Sequence, residues 1–185
     1  MVTGERSETP ARKGESSGSR IRKKVWIRAS AKVVYHALTE SKALVSWFCD
    51  RASCDSREGG ELVAHWRTGK SSQKGRALIS KLVPDVKVEL LWIDDGNGIE
   101  SRDSKHTLSR DSKHTLSFEI RSKSGMTELI MIDQDESAAD EETIALLDRG
   151  WNSVLLELKD YCERKERTIK IHPHLKPNQH KSPRG

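Results

Sequence analysis

The sequence predicts an α+β fold, a curved antiparallel sheet of seven strands with two short helices after the first strand and one long helix at the C-terminal end. Three observations lead there. Between Arg51 and Asp133, short runs of alternating apolar and polar residues are separated by turn residues, the signature of strands joined in hairpins. From Ile144 to Cys162, apolar residues return every three or four positions, the signature of an amphipathic helix. With 185 residues, 34% of them hydrophobic and 33% charged, the chain has material for one core and not two.

The elements follow in order. Ile21, Lys23, Val25 and Ile27 alternate with Arg22, Lys24, Trp26 and Arg28, which predicts a half-exposed first strand. Ser30 then caps a helix whose apolar set is Val33, Val34, Ala37 and Leu38. Thr39 or Ser41 starts a second short helix bearing Leu44, Val45, Trp47 and Phe48. Six strands are expected at Arg51–Asp55, Gly60–Arg67, Gly75–Val83, Val86–Ile93, Lys113–Arg121 and Met126–Asp133. The connectors Arg-Glu-Gly-Gly, Pro-Asp and Ser-Lys-Ser-Gly are too short for parallel crossovers. Leu62/Ala64/Trp66, Val86/Val88/Leu90/Trp92 and Leu116/Phe118/Ile120 each share one strand parity, so one face of the sheet is buried. The helix expected over Asp140 to Cys162 covers that face; at ~1.5 Å per residue it is about 34 Å long, enough to cross seven strands.

An octapeptide, Ser-Arg-Asp-Ser-Lys-His-Thr-Leu, occurs at Ser101–Leu108 and again at Ser109–Leu116. Only the second copy runs into Phe118, so it is expected to enter the sheet while the first lengthens a mobile loop spanning 94–112. The expected organisation is a flexible tail over 1–20, one domain over 21–162 and a flexible basic tail over 163–185. The net charge of +5 sits in these tails, because the segment between them carries a net charge of −1. A nucleic-acid surface needs its basic patch on the fold, and no such excess exists here; a weak anionic contact by the last tail is the alternative to plain solvation. No apolar run approaches the ~18 residues of a membrane span, and no export or myristoylation signal opens the chain, so a cytoplasmic location is expected. The three cysteines lack a CxxC pair and fit reduced thiols.

Chemical motifs fail when their context is required. Gly14-Glu15-Ser16-Ser17-Gly18 lacks the strand-to-helix elbow of a nucleophilic serine, and Ser71-Ser72-Gln73-Lys74 has no partner motifs. Gly96-Asn97-Gly98 and Gly69-Lys70 lack the surroundings of a phosphate loop. The histidines are scattered: His36 and His65 read as surface residues, and duplication accounts for His106 and His114. No metal site, cofactor or catalytic residue is therefore assigned. Trp47, Trp66, Trp92, Phe118, Leu129, Met131, Trp151 and Leu155 are expected between sheet and helix, where they either fill the core or surround an apolar ligand chamber.

The order of elements resembles the helix-grip fold of the SRPBCC superfamily, which includes START domains. Trp47, Asp55, Gly59-Gly60, Trp66, Gly75, Val83-Pro84-Asp85, Trp92, Thr127-Glu128-Leu129 and Gly150-Trp151 with Leu155 and Leu158 resemble, over about Ile21 to Cys162, homologues of the activator of the 90-kDa heat-shock protein ATPase. A charged Asp133-Gln-Asp-Glu136 turn departs from that pattern. The resemblance implies a binder of a small hydrophobic or aromatic molecule. Its first alternative is a polyketide cyclase or aromatase-like enzyme, which needs an ionisable group in the chamber; Asp133, Glu128 and His65 are the nearest candidates, none with an evident partner. The second alternative is a co-chaperone or interaction module. In the chaperone activator a separate N-terminal domain binds the chaperone, and 20 flexible residues do not replace it, so the resemblance alone does not carry chaperone contact over to this chain.

Overall fold

The computed structural model describes residues 18–69, 71–93, 114–138 and 140–171. The elements are β1 (Gly18–Ile27), α1 (Ala31–Thr39), α2 (Ser41–Trp47), β2 (Arg51–Cys54), β3 (Glu61–Thr68), β4 (Ser71–Val83), β5 (Lys87–Ile93), β6 (His114–Lys123), β7 (Met126–Ala138) and α3 (Glu141–Ile171). The strands form one seven-stranded sheet in the order β1-β7-β6-β5-β4-β3-β2. Every neighbouring pair is antiparallel. Strands β2 to β7 follow one another as a meander, and β1 adds to the free edge of β7. The chain must then travel from one edge of the sheet to the other, and α1 and α2 make that passage.

Cross-strand register explains which side chains meet. Residues directly opposite one another in a ladder share a face, and three rows run across the buried face. The first is Leu62, Ala77, Trp92, His114 and Asp135; the second is Ile79, Leu90, Leu116, Asp133 and Ile21; the third is Val88, Phe118, Met131 and Lys23. Two glycines fix details of this surface. A side chain at Gly60 would strike the Asp55 carbonyl oxygen at 2.0 Å, and the Gly59-Gly60 turn bonds both ways to Ile79 of β4 at 2.8 Å. A Cβ at Gly75 would lie 2.9 Å from the Trp92 ring and 3.0 Å from the Trp66 ring, so two indoles pack over the bare backbone of β4.

The helices behave as their patterns require. Ser30 Oγ accepts from the Val33 N–H at 3.4 Å and caps α1. Val33, Val34, Ala37 and Leu38 of α1 are buried, as are Ala43 and Leu44 of α2, whereas Val45 is exposed. Leu155, Leu158 and Cys162 of α3 close the core over Ile27, Leu129 and Met131.

The structure corrects several expectations. Strand β1 begins at Gly18, three residues before the expected start, because Ser19 and Arg20 continue to pair with Asp135 and Gln134 of β7. Helix α3 does not stop at Cys162 but runs to Ile171, for 31 residues. Its charged continuation is anchored: Glu163 accepts from the Arg28 N–H at 3.0 Å, and Glu166 accepts from the Ser30 N–H at 3.1 Å and its hydroxyl at 3.0 Å. Composition reads such glutamates as solvated; their partners lie 135 and 136 residues away. Asp133 to Glu136 is no turn, because β7 continues through it. Val86 leaves the expected inner face and is exposed in the turn between β4 and β5. The first octapeptide copy and the loop expected over 94–112 lie outside the described residues. Of the second copy, His114, Thr115 and Leu116 are described, and all three pair within β6.

Candidate functional site: an aromatic crease and a buried carboxylate

The buried face is closed differently along its length. Beneath the middle of α3, aliphatic side chains seal the core, and Ile27, Val34, Leu129, Met131, Leu158 and Cys162 are fully buried. Where α2 and the first part of α3 meet β5 and β6, the lining becomes aromatic. A crease there is bounded by Leu38, Leu44, Trp47, Phe48, Leu62, Leu90, Trp92, Leu116, Phe118 and Trp151, and its free volume is about 20 Å³. That is room for a single water molecule.

The rings are held by their polar ends, as buried indoles usually are. Trp47 Nε1 donates to the Ala37 carbonyl at 2.9 Å, and Trp66 Nε1 donates to the Phe48 carbonyl at 2.7 Å. Phe48 lies between them with centroids 5.2 Å from each ring, tilted by 39° to Trp47 and edge-on to Trp66 at 85°. Trp151 Nε1 reaches from α3 to the sheet and donates to Asp133 Oδ2 at 2.5 Å.

Asp133 is the chemical centre of this end. It is buried, and a buried carboxylate requires partners. One oxygen takes the Trp151 N–H; the other is bonded to Nε2 of His114. Burial of the His114 imidazole opposes its protonation, but the bond to Asp133, that residue's charge and the charge of Asp135 outweigh burial and raise its pKa above the ordinary 6.5. The His114 ring also stacks on Trp92, with centroids 6.3 Å apart and planes inclined by 29°. The unit Trp151–Asp133–His114–Trp92 therefore ties helix α3 to the centre of the sheet at the border of the crease.

Of the eight residues expected around a chamber, Trp47, Trp92, Phe118 and Trp151 line the crease. Trp66 lies behind Phe48 and over Gly75. Leu129, Met131 and Leu155 belong to the sealed core. Sequence reasoning missed Phe48 as a lining residue, although it neighbours Trp47. It also set His114 aside as a by-product of duplication. The available signal was parity: His114 shares strand parity with Leu116 and Phe118, which placed it on the buried face. Asp133, expected without a partner, has two. Glu128 instead pairs with Lys24 at 3.4 Å and Arg121 at 3.9 Å, and His65 pairs in the β2–β3 ladder opposite Arg51. Among the described residues, no group of three or more His, Cys, Asp or Glu is placed to hold a metal ion, and no helix is long and apolar enough to cross a membrane.

Comparison with known proteins agrees with this architecture. No curated protein matches the sequence. The solution structure of the Aha1 dimer from Colwellia psychrerythraea is similar, with a TM-score of 0.59 at 21% identity, over 78% of this chain and 96% of that one. The AHSA1-like protein from Aeromonas hydrophila gives a TM-score of 0.59 at 13% identity, over 88% of this chain and all of that one (100%). DynU16, a protein of the dynemicin biosynthetic locus, gives 0.60 at 17% identity, over 80% of this chain and 48% of that one. At these identities the likeness establishes the helix-grip fold. The family model "Activator of Hsp90 ATPase homolog 1-like protein" matches residues 28–163, from the end of β1 through the part of α3 that carries Trp151 and Cys162, and this chain belongs to that family.

Proposed function

We propose that this protein binds a small apolar or aromatic molecule in the crease between α2, α3 and strands β5 and β6, without catalysing a reaction on it. The observation that carries this reading is the lining: ten apolar side chains, five of them the rings of Trp47, Phe48, Trp92, Phe118 and Trp151, meet at one place where the core is incompletely sealed. Apolar concavities with few polar groups are the usual sites for small molecules. With about 20 Å³ free, a ring enters only by displacing one already there. Trp47, Phe48 and Trp151 are half-buried, which leaves them room to turn outward. The place of DynU16 in a biosynthetic locus is consistent with small-molecule binding on this scaffold.

A second reading has one observation in its favour. An imidazole paired with a buried carboxylate is an arrangement suited to proton transfer, so His114 and Asp133 support a cyclase-like enzyme working in the same crease. Native mass spectrometry of the purified full chain, together with quenching of tryptophan fluorescence by a hydrophobic dye, tests the first reading. A co-purified small molecule or saturable quenching supports it; a bare protein that no dye quenches overturns it. Recovery of a chemically altered ligand after incubation would favour the enzyme.

A further inference from the structure

Helix α3 carries, on the side away from the core, a stripe that is complementary to its own reversal. Leu155, Leu158 and Cys162 turn inward and are buried. With successive residues turned by about 100°, Glu142, Arg149, Ser153, Leu156, Asp160 and Arg167 fall within a sector of about 60° on the opposite side, and all six are exposed. Leu156 is 60% exposed and Leu146, on the same side, 63%, the most exposed leucines among the described residues. The fold makes no use of the charges here. Ion pairs of α3 engage Asp148, Lys159, Glu163, Glu166 and Lys170, whereas among the described residues Glu142, Arg149, Asp160 and Arg167 have no ion-pair partner.

The six positions are spaced symmetrically, by 7, 4, 3, 4 and 7 residues. Two copies of α3 laid antiparallel about a twofold axis between residues 154 and 155 therefore bring each position opposite its mirror position. Glu142 meets Arg167 of the second copy, Arg149 meets Asp160, and Leu156 lies on Ser153, a small residue; by symmetry each contact occurs twice. A parallel pair instead sets every charge against its own copy, which is repulsive. The antiparallel pair also lays the acidic start of the helix, Glu141 and Glu142, along its basic end, Arg164, Lys165 and Arg167, and sets the two helix dipoles in opposition.

We propose that this outer stripe of α3 is the docking surface for a second copy of the chain, paired antiparallel in a symmetric dimer. The shared length is about 38 Å at ~1.5 Å per residue, and at a breadth of about 10 Å the interface stands at the low end of those that proteins use. The dimer is therefore weak and reversible, and its exposed charge pairs make it sensitive to salt.

Sedimentation velocity of the full chain from about 10 to about 500 μM in low salt tests the pairing, with half-association expected at about 100 μM. Arg149→Glu sets a carboxylate against Asp160 on both sides of the axis, and Asp160→Arg sets guanidinium against guanidinium. Each is expected to weaken association about tenfold, and the double variant, whose net charge equals that of the unaltered chain, to restore it to within about threefold. Far-ultraviolet circular dichroism is expected to be the same in all four proteins, since these side chains make no ion pair within the described fold. A chain that stays monomeric throughout overturns the inference and leaves the stripe to a different protein or to this chain's own termini. A dimer indifferent to the single reversals pairs through another face, and singles that weaken it without rescue in the double exclude the antiparallel register; either result overturns the inference.

Discussion

The two ends of the buried face are built from different side chains and are closed to different degrees. Under the middle of α3, Ile27, Leu129, Met131, Leu158 and Cys162 have no exposed surface. A buried hydroxyl there, that of Thr127, donates to the Ala29 carbonyl at 2.7 Å. Burial pushes the Cys162 thiol up to about 12, so it packs as a small apolar group and not as a nucleophile. At the crease, by contrast, rings with polar handles replace branched aliphatics, and a carboxylate and an imidazole enter the apolar face. Aliphatic side chains interlock and exclude everything else; indoles held by a single N–H bond leave a seam. The comparison teaches that one continuous core holds a tightly sealed aliphatic half and a more loosely closed aromatic half, the one proposed above to bind a ligand.

Removing packing from the sealed half gives the largest expected effect. Leu158→Ala is expected to cost about 2–5 kcal/mol in urea unfolding while leaving dye binding at the crease unchanged. Loss of binding in a variant that remains folded would show that the two halves are not separable. Crowding the other half comes next. Gly75→Val forces a side chain against the Trp66 and Trp92 rings, with an expected cost of about 1–3 kcal/mol and a shift in tryptophan emission. A silent emission spectrum would mean that these rings are free to move away.

The anchors of α3 provide a smaller and more selective test. Glu166→Ala removes the acceptor for the Ser30 N–H and hydroxyl, costing about 0.5–2 kcal/mol by analogy with lost helix caps. Faster amide exchange is expected at residues 163–171 and not at Leu155 or Leu158. The Arg28 N–H bond, together with the charge of Lys159, lowers the Glu163 pKa below 4.5. The bonds from Ser30 do the same for Glu166 against the cost of its burial. Their contribution is thus present above pH 4.5 and disappears as pH falls through the lower folded values; Glu166→Ala is expected to flatten that acid slope.

The last prediction concerns the crease alone. Because the His114 pKa is raised above 6.5 in the folded chain, its stabilising contribution is complete below pH 6.5 and fades as pH rises through the folded value. The thermal midpoint is expected to decline modestly from pH 6 to pH 9, and His114→Phe to remove that decline. An unchanged slope in the variant would assign the effect to another group.

The sequence by itself determined the strand and helix patterns, the antiparallel pairing and the buried face, because periodicity and connector length are local properties. Ile144, Trp151, Leu155 and Leu158 marked the long helix, and the alternation around Leu116 and Phe118 marked β6. Tertiary structure alone decided which partners met. Glu163 and Glu166 looked solvated until β1 and α1 delivered two backbone N–H groups to them, and helix α3 lengthened accordingly. Asp133 looked unpaired until the β6–β7 register set His114 beside it and the packing of α3 brought in the Trp151 N–H. Whether a buried charge is tolerated depends on groups far away in the chain. Periodicity carries no information about them.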